Sequence, residues 1–214
     1  MVSSNHAMES SAACTLVVVP TEPRSGPTWV LLHGSDGSEA DLLPVAERLA
    51  PSAVKVAPRG TVETPEGFAF FLRGADRRID EADLRVRAEP LVTRIRSAQA
   101  AHASDGRLVV LGFSNGAVMA TALIELHPEL FAAAVLVRTQ LPFPGVPRPA
   151  VPSIPVLVLD GRDDARRSPE AGRDVARRLR DAGARVTHVV LPVAHGMTAA
   201  DERRIANWLA WEQR

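Results

Sequence analysis

The sequence predicts an α/β fold in which one mostly parallel central sheet carries helices on both faces. Short apolar runs alternate with longer segments of helical composition along nearly the whole chain. Most of these runs are apolar at consecutive positions, as expected of parallel strands that helices cover on each side. Strand–helix alternation of this kind indicates an open, mostly parallel sheet. The chain has 214 residues, of which 46% are hydrophobic, so it can bury the core of one such domain.

The expected elements follow in order along the chain. The apolar runs predict seven strands, at residues 14–19, 29–32, 54–57, 108–111, 133–137, 156–159 and 186–191. The segments between and after them predict five helices, at residues 39–49, 81–102, 117–127, 169–182 and 199–211. Thr198 and Asp201 form a capping-box-like start for the last helix. These elements use most of residues 12–214, so we expect one domain there without a large lid, preceded by a flexible tail at residues 1–11.

Composition argues against several classes of function. The 25 basic and 25 acidic residues cancel, whereas a nucleic-acid-binding protein usually carries a basic excess on one face. No stretch approaches the roughly 18 apolar residues of a membrane span, and the start of the chain lacks the pattern of a signal peptide. The single cysteine, Cys14, cannot form an internal disulfide, so we expect a cytoplasmic location. Neither a cysteine cluster nor a histidine pair on one helical turn suggests a metal site.

Ser114 is the candidate nucleophile. It lies in Gly112-Phe113-Ser114-Asn115-Gly116, between an expected strand and an expected helix. A nucleophile in such a sharp strand-to-helix turn takes a strained backbone conformation, and the glycines on either side leave room for the neighbouring strand and helix. The turn raises the hydroxyl above the sheet edge and directs backbone N–H groups at the group that it attacks.

A serine nucleophile needs a base, and the base needs an orienting carboxylate. When the serine lies in a strand-to-helix turn of a parallel α/β sheet, the acid and then the histidine follow it along the chain, at the ends of later strands. His195 follows the last expected strand by four residues and is the candidate base. Asp160, Asp163 and Asp164 all follow the strand before it, and their spacing does not distinguish between them.

Two backbone N–H groups are candidates for an oxyanion hole. One belongs to Asn115, directly after the nucleophile, and the other comes from a loop after an early strand. That loop is visible as Leu32-His33-Gly34-Ser35-Asp36-Gly37, where the glycines allow the backbone to approach a substrate closely. The N–H of Ser35 is the better candidate within it.

Apolar side chains near these loops are candidates for a substrate pocket. The longest excursion between elements, residues 59–80, carries three phenylalanines, and three further apolar residues lie in later loops. The candidate pocket residues are Phe68, Phe70, Phe71, Leu141, Phe143 and Met197. The alternative is that the aromatic rings pack the loop onto the sheet. Arg59 and Arg73 flank the aromatic segment and are candidates for binding an anionic substrate, although loop arginines are commonly solvated.

Seven short motifs run in order along the chain between about Trp29 and Leu209: His33-Gly34-Ser35-Asp36-Gly37, Asp41-Leu42-Leu43-Pro44, Ala57-Pro58-Arg59-Gly60, Phe68-Ala69-Phe70-Phe71, Gly112-Phe113-Ser114-Asn115-Gly116, Leu141-Pro142-Phe143 and Ala194-His195-Gly196-Met197-Thr198. Together they resemble the motifs of the phospholipase/carboxylesterase branch of the α/β hydrolases, and in particular of its small MhqD-type bacterial carboxylesterases.

The resemblance implies a Ser-His-Asp serine hydrolase without a cofactor. Because the expected elements leave no residues for a large lid, we expect an open, shallow site that favours small or short-acyl carboxylic esters, which are cleaved through an acyl-enzyme. The family loop has Gly, two variable residues and Asp, which places the acid at Asp164, while Ala165 stands where the family often has proline and keeps Asp163 as an alternative. The expected partner is a small-molecule ester, and the composition predicts neither a nucleic acid nor a membrane as a partner. The resemblance is compatible with a homodimer. A thioesterase or acyltransferase would use the same triad, and a ligand-binding protein that has lost catalysis would keep the same fold.

Overall fold

A seven-stranded sheet forms the centre of the fold in the computed structural model, which describes residues 14–20, 25–76, 78–102, 106–147 and 149–212. The predicted tail at residues 1–11 lies outside these ranges. The strands are β1 (Thr15–Val18), β2 (Thr28–Leu32), β3 (Lys55–Pro58), β6 (Leu108–Phe113), β7 (Ala133–Val137), β8 (Pro155–Gly161) and β9 (Arg185–Leu191), and β4 (Val62–Glu63) and β5 (Phe68–Ala69) form a separate short hairpin. The sheet order is β1-β3-β2-β6-β7-β8-β9; β1 is antiparallel to β3 and every other pair is parallel.

Helices cover both faces of this sheet and bury two apolar cores. The helices are α1 (Leu43–Leu49), α2 (Glu81–His102), α3 (Asn115–Leu126), α4 (Pro169–Ala182) and α5 (Ala199–Glu212). Helices α2, α3 and α4 pack on one face, and α1 and α5 pack on the other. Successive residues of a central strand serve the two cores in turn, because side chains alternate across a strand. In β2, Val30 and Leu32 face α2 and α3, whereas Trp29 and Leu31 face α1 and α5.

The predicted fold class is confirmed, and all seven predicted strands and all five predicted helices are present. Some boundaries differ. The first helix begins at Leu43 rather than at residue 39, because Pro44 occupies its first turn and Ser38 and Asp41 hydrogen-bond to each other in the preceding turn. The β4–β5 hairpin was not predicted. No helix within the described ranges is long and apolar enough to cross a membrane.

The parallel strands deliver their carboxyl ends to one edge of the sheet. Strands β6, β7, β8 and β9 are consecutive neighbours in the sheet. Ser114, Arg138, Asp164 and His195 all lie within a few residues of these four ends. Open α/β sheets bind ligands at this edge, so the topology alone brings the candidate site residues into one region.

Candidate active site

Ser114 lies in a strained turn between β6 and α3. Its backbone has φ 51° and ψ −107°, a conformation that costs a non-glycine residue of the order of 1–3 kcal/mol. Its N–H donates to the carbonyl of Val137 at 2.9 Å, which ties the turn to the end of β7. The two flanking glycines are sterically required. A Cβ on Gly112 would lie 2.7 Å from the Cα of Ala117, and one on Gly116 would collide with the carbonyl of Leu32.

The structure brings Ser114, His195 and Asp164 into one hydrogen-bonded chain. The Oγ of Ser114 lies 3.0 Å from Nε2 of His195, and Nδ1 of His195 lies 2.7 Å from Oδ2 of Asp164. The other oxygen of Asp164 accepts hydrogen bonds from the N–H groups of Arg166 and Arg167, at 2.8 and 3.0 Å. An ionised carboxylate can only accept a hydrogen bond, so Nδ1 of His195 is the donor in the bond to Asp164. We therefore infer that the proton of a neutral imidazole is on Nδ1 and that Nε2 accepts a hydrogen bond from the hydroxyl of Ser114.

The other two aspartates considered for this position lie elsewhere. Asp163 has an exposed side chain, and its Oδ1 lies 3.8 Å from Nε of Arg162. Asp160 is buried at the end of β8 and accepts a hydrogen bond from His188 at 2.7 Å. Burial raises the pKa of Asp160, while His188 opposes that shift. Of the three candidates, Asp164 alone is hydrogen-bonded to the candidate base.

The environment of His195 favours its neutral form. Burial is the largest influence and lowers the pKa of the imidazole below its ordinary value of 6.5. The hydrogen bond and the charge of Asp164 raise that pKa, and the positive charges of Arg167 and Arg166 lower it again. An imidazole that is neutral at pH 7 can accept a proton from a serine hydroxyl, so the protonation state of His195 is the one that a candidate base requires.

A pH profile checks this balance. We expect kcat/KM for a neutral ester to be constant near pH 7 and to fall as the pH drops, with a half-maximal value below pH 6.5. The sign follows from the lowered pKa of His195, since the neutral base persists until the pH falls through that lowered value. Initial rates between pH 4.5 and 8 give the midpoint, and a midpoint above 6.5 would contradict the assignment.

His33 holds the loop that precedes the candidate oxyanion donor. Its Nδ1 is 2.7 Å from the carbonyl of Gly34, and its Nε2 accepts from the N–H of Gly60 at 3.0 Å. Burial lowers the pKa of His33, consistent with a neutral ring that donates at one nitrogen and accepts at the other. The ring also packs against Phe70, with 4.6 Å between centroids. The loop therefore presents Ser35 to the cleft beside Ser114.

Asn115 connects the turn to the loop over residues 59–80. Its side-chain oxygen accepts a hydrogen bond from the N–H of Phe70 at 2.8 Å, in a buried position. Its own N–H belongs to the first turn of α3, where a helix supplies no internal partner. The next N–H, that of Gly116, donates to the carbonyl of His33 at 2.9 Å. This bond draws the loop of Ser35 against the start of α3.

The cleft beside Ser114 has a volume of about 300 Å³ and polar walls. Four of its lining residues belong to the segments that carry the candidate triad and the candidate oxyanion donors: Ser35, Asp36, Ser114 and His195. The others are Phe113, Gln140 and three arginines, Arg73, Arg166 and Arg167. Phe113 places its ring 5.4 Å from that of His195. Sequence reasoning missed Gln140, Arg166 and Arg167, although Gln140 lies three residues after the end of β7 and the two arginines lie within three residues of the candidate acid.

None of the six predicted pocket residues lines this cleft. Phe70, Phe71 and Phe143 are buried in the core beneath α2 and α3, and Leu141 packs against the same core. Phe68 lies under the guanidinium of Arg59, and Met197 packs against the core on the α5 side. Large apolar rings gain more from complete burial than from an open site, so the alternative interpretation, in which they pack the loop onto the sheet, describes their placement.

Arg138 is a buried residue that the sequence analysis missed. It directly follows β7, has φ 58°, and is fully buried. Its guanidinium donates to both oxygens of Asp201, at 2.9 and 3.0 Å, and to the carbonyls of Ala194 and Gly196, at 3.3 and 3.4 Å. Arg138 therefore fixes the loop that carries His195. The available signal was a charged residue at the end of a fully apolar run.

Asp201 also makes the predicted start of α5. One of its oxygens accepts from the N–H and the hydroxyl of Thr198, at 2.9 and 2.7 Å. The N–H of Asp201 lies 3.4 Å from that hydroxyl, so the capping box expected from the sequence is present. No group of three or more His, Cys, Asp or Glu side chains within the described ranges could hold a metal ion.

Several known proteins are similar to this chain over most of its length. No family model matches the sequence. A protein of Bacillus subtilis (strain 168) named "Putative hydrolase MhqD" is 31% identical over 180 residues, which cover 84% of this chain and 90% of that protein. The carboxylesterase of Bacillus cereus superposes with a TM-score of 0.86 at 27% identity, covering 96% of this chain and 95% of the other. A carboxylesterase from Mesorhizobium loti gives a TM-score of 0.86 at 28% identity, covering 93% and 95%. The chain therefore belongs to the phospholipase/carboxylesterase family of α/β hydrolases, in its MhqD-type group, and is an ester hydrolase.

Proposed function

We propose that this protein is a serine carboxylesterase that hydrolyses small or short-acyl carboxylic esters through an acyl-enzyme on Ser114. The observation that carries the proposal is the hydrogen-bonded chain from Ser114 through His195 to Asp164, on the wall of an open cleft. A serine, a neutral imidazole and a carboxylate in this order form the arrangement that activates a hydroxyl for acyl transfer.

The first half-reaction forms the acyl-enzyme. His195 takes the hydroxyl proton of Ser114 as its Oγ attacks the ester carbonyl, and Asp164 stabilises the resulting imidazolium. The C–O bond to the alcohol then breaks, and His195 gives its proton to the leaving oxygen. In the second half-reaction His195 takes a proton from water, the hydroxide attacks the acyl carbon, and Ser114 leaves with the proton. The products are a carboxylic acid and an alcohol.

The N–H groups of Ser35 and Asn115 are proposed to stabilise the tetrahedral oxyanion. Ser35 lines the cleft, and Asn115 begins the helix that follows the nucleophile. The bond from Gly116 to His33 supports this pairing, because it holds the two segments together. A single oxyanion donor is worth about 3–4 kcal/mol of transition-state stabilisation in comparable sites.

The size of the cleft supports small substrates. About 300 Å³ is at the lower end of the range for ligand pockets. Its lining is mostly polar, and Phe113 is the one apolar side chain among the described residues that line it. Such a cleft offers little apolar surface to a long acyl chain.

Hydrolysis of p-nitrophenyl acetate, butyrate and octanoate tests the proposed function. We expect kcat/KM to be highest for acetate or butyrate and to fall for octanoate, because the polar cleft gains little from additional methylenes. In parallel, a fluorophosphonate probe should add one phosphonyl group, and peptide mapping should place it on Ser114. The absence of both hydrolysis and labelling in folded protein would instead support a ligand-binding protein without catalysis. A preference for acetyl thioesters over the matched oxygen esters would favour a thioesterase.

A further inference from the structure

The cleft beside Ser114 concentrates positive charge in a protein whose formal net charge is zero. Three arginines line it, Arg73, Arg166 and Arg167. Asp36 is the only acidic residue among the described residues that line it, and its one negative charge is smaller than theirs together. A cleft lined mainly by one sign of charge raises the local concentration of ligands of the opposite charge.

The arginines come from two separate segments of the chain. Arg166 and Arg167 follow the candidate acid, and their N–H groups bind Asp164. The backbone from which both side chains extend is therefore fixed relative to His195. Arg73 lies in the loop before α2, with its guanidinium 5.3 Å from the centroid of the Phe71 ring.

The positive charges of Arg166 and Arg167 act on the imidazole of His195. Burial and the opposing carboxylate of Asp164 are the two largest influences on the pKa of His195, and the charges of Arg167 and Arg166 add to its lowering. A ligand held between Ser114 and these arginines would lie within the same field. An electrostatic attraction between partly exposed groups remains effective over roughly 10 Å at 0.1 M salt.

Arg59, the other arginine suggested by the sequence, does not take part. It binds both oxygens of Glu39, at 2.6 Å each, and its guanidinium lies over the ring of Phe68. It is not among the residues that line the cleft. Of the two arginines suggested by the sequence, Arg73 therefore remains a candidate for binding an anion and Arg59 does not. Arg166 and Arg167 are further candidates.

We propose that the cleft selects esters that carry a carboxylate group close to the scissile bond, and that Arg73, Arg166 and Arg167 bind this carboxylate. A guanidinium matches a carboxylate with two parallel hydrogen bonds, which makes arginine suited to recognising it. The proposal rests on the esterase function proposed above and names the substrate class of that site. The chemistry itself is unchanged: the acyl–oxygen bond breaks, water adds, and the product alcohol or acid retains the carboxylate.

A matched pair of small aromatic acetates tests the proposal. In 4-acetoxybenzoate the leaving phenol carries a carboxylate, and in 4-acetoxybenzamide a neutral amide of similar shape replaces it. Both release acetate, and release of the phenol is followed by chromatography at low ionic strength. We expect kcat/KM to be about 10-fold higher for the anionic ester. This preference should decrease in 0.5 M NaCl, because salt screens exposed charges.

Arginine variants locate the effect. Arg166→Gln removes a guanidinium but keeps the backbone N–H that binds Asp164, and Arg73→Gln removes the charge from the other segment. We expect each to reduce the preference for the anionic ester about 3-fold or more, mainly through KM. Arg177→Gln is the matched control, since Arg177 is an exposed α4 residue that pairs with Asp174 and does not line the cleft. It should keep the preference of the parent protein.

The outcomes separate the two proposals. Hydrolysis of the neutral ester at a rate equal to or above that of the anionic ester would overturn the carboxylate preference and leave the esterase standing. Equal losses on both esters in the Arg166 and Arg73 variants would also overturn it, because the charges would then act on the transition state of any ester. A loss of preference in the Arg177 control would show that the effect is not local to the cleft. If the folded protein hydrolyses none of the three compounds, the two acetoxy esters and p-nitrophenyl acetate, the proposed function is rejected, and the carboxylate preference is rejected with it.

Discussion

Replacing Ser114 with alanine is expected to lower kcat for p-nitrophenyl butyrate by roughly 10⁴-fold or more, with the fold unchanged. The hydroxyl is the atom that forms the acyl-enzyme in the proposed mechanism, and removing the nucleophile of a comparable triad costs up to about 10⁶-fold in kcat. The residual rate would come from the oxyanion donors and substrate binding alone. Steady-state kinetics and the loss of fluorophosphonate labelling measure the effect.

The stability of the same variant distinguishes chemistry from folding. Serine and alanine both carry a Cβ, so the backbone strain at φ 51° is the same in the parent and in the variant. The hydrogen bond from residue 114 to Val137 uses only backbone atoms, so the variant keeps it. We therefore expect a melting temperature within a few degrees of the parent. Ser97→Ala, at an exposed position of α2, is the matched control and should keep full activity. Activity retained in Ser114→Ala would reject the proposed nucleophile.

The fold was predictable because each central strand is apolar at consecutive positions. β2 and β6 are buried on both faces and supply side chains to two cores, so their runs stand out from the rest of the sequence. The β4–β5 hairpin was not predictable in this way, because each of its strands has only two residues. Two residues are too few to show a period, and tertiary contacts decide their conformation.

The candidate site was predictable to the extent that chemistry restricts residue type. A serine between glycines and a histidine after the last strand are unusual enough to be recognised from the sequence. Whether Asp163 or Asp164 meets His195 depends on the loop backbone, since neighbouring side chains point in different directions. The structure turns Asp164 inward, where the N–H groups of Arg166 and Arg167 bind its second oxygen.

The lining of the candidate cleft was not predictable, because composition does not specify the direction of a side chain. Phe70 and Phe71 lie in a loop close to the site in sequence, yet both are buried in the core. The sequence also did not single out Arg166 and Arg167, although they line the cleft. Arg166 and Arg167 form one of several arginine pairs in a chain with 25 basic residues, and most such pairs lie on solvated surfaces.

Replacing Arg138 with methionine is expected to reduce the free energy of unfolding by about 3–5 kcal/mol. The substitution leaves the carboxylate of Asp201 buried without its cation, and breaking a buried ion pair from one side costs this much. It also removes the hydrogen bonds to the carbonyls of Ala194 and Gly196 on either side of His195. We therefore expect kcat to fall in the variant that remains folded at low temperature. Urea denaturation gives the free energy, and the kinetics follow below the transition.

A matched exposed pair shows whether burial is the cause. Arg48 binds Glu202, the neighbour of Asp201 on α5, with two hydrogen bonds of 2.9 and 2.8 Å, but its side chain is 58% exposed. Arg48→Met should reduce the free energy of unfolding far less than Arg138→Met does, because water screens the pair and solvates the remaining carboxylate of Glu202. Asp201→Asn in the Arg138→Met background should recover part of the loss, since it removes the uncompensated charge. Similar costs for the two arginine substitutions would mean that Arg138 contributes as a surface ion pair does, and that the loop of His195 is held by other contacts.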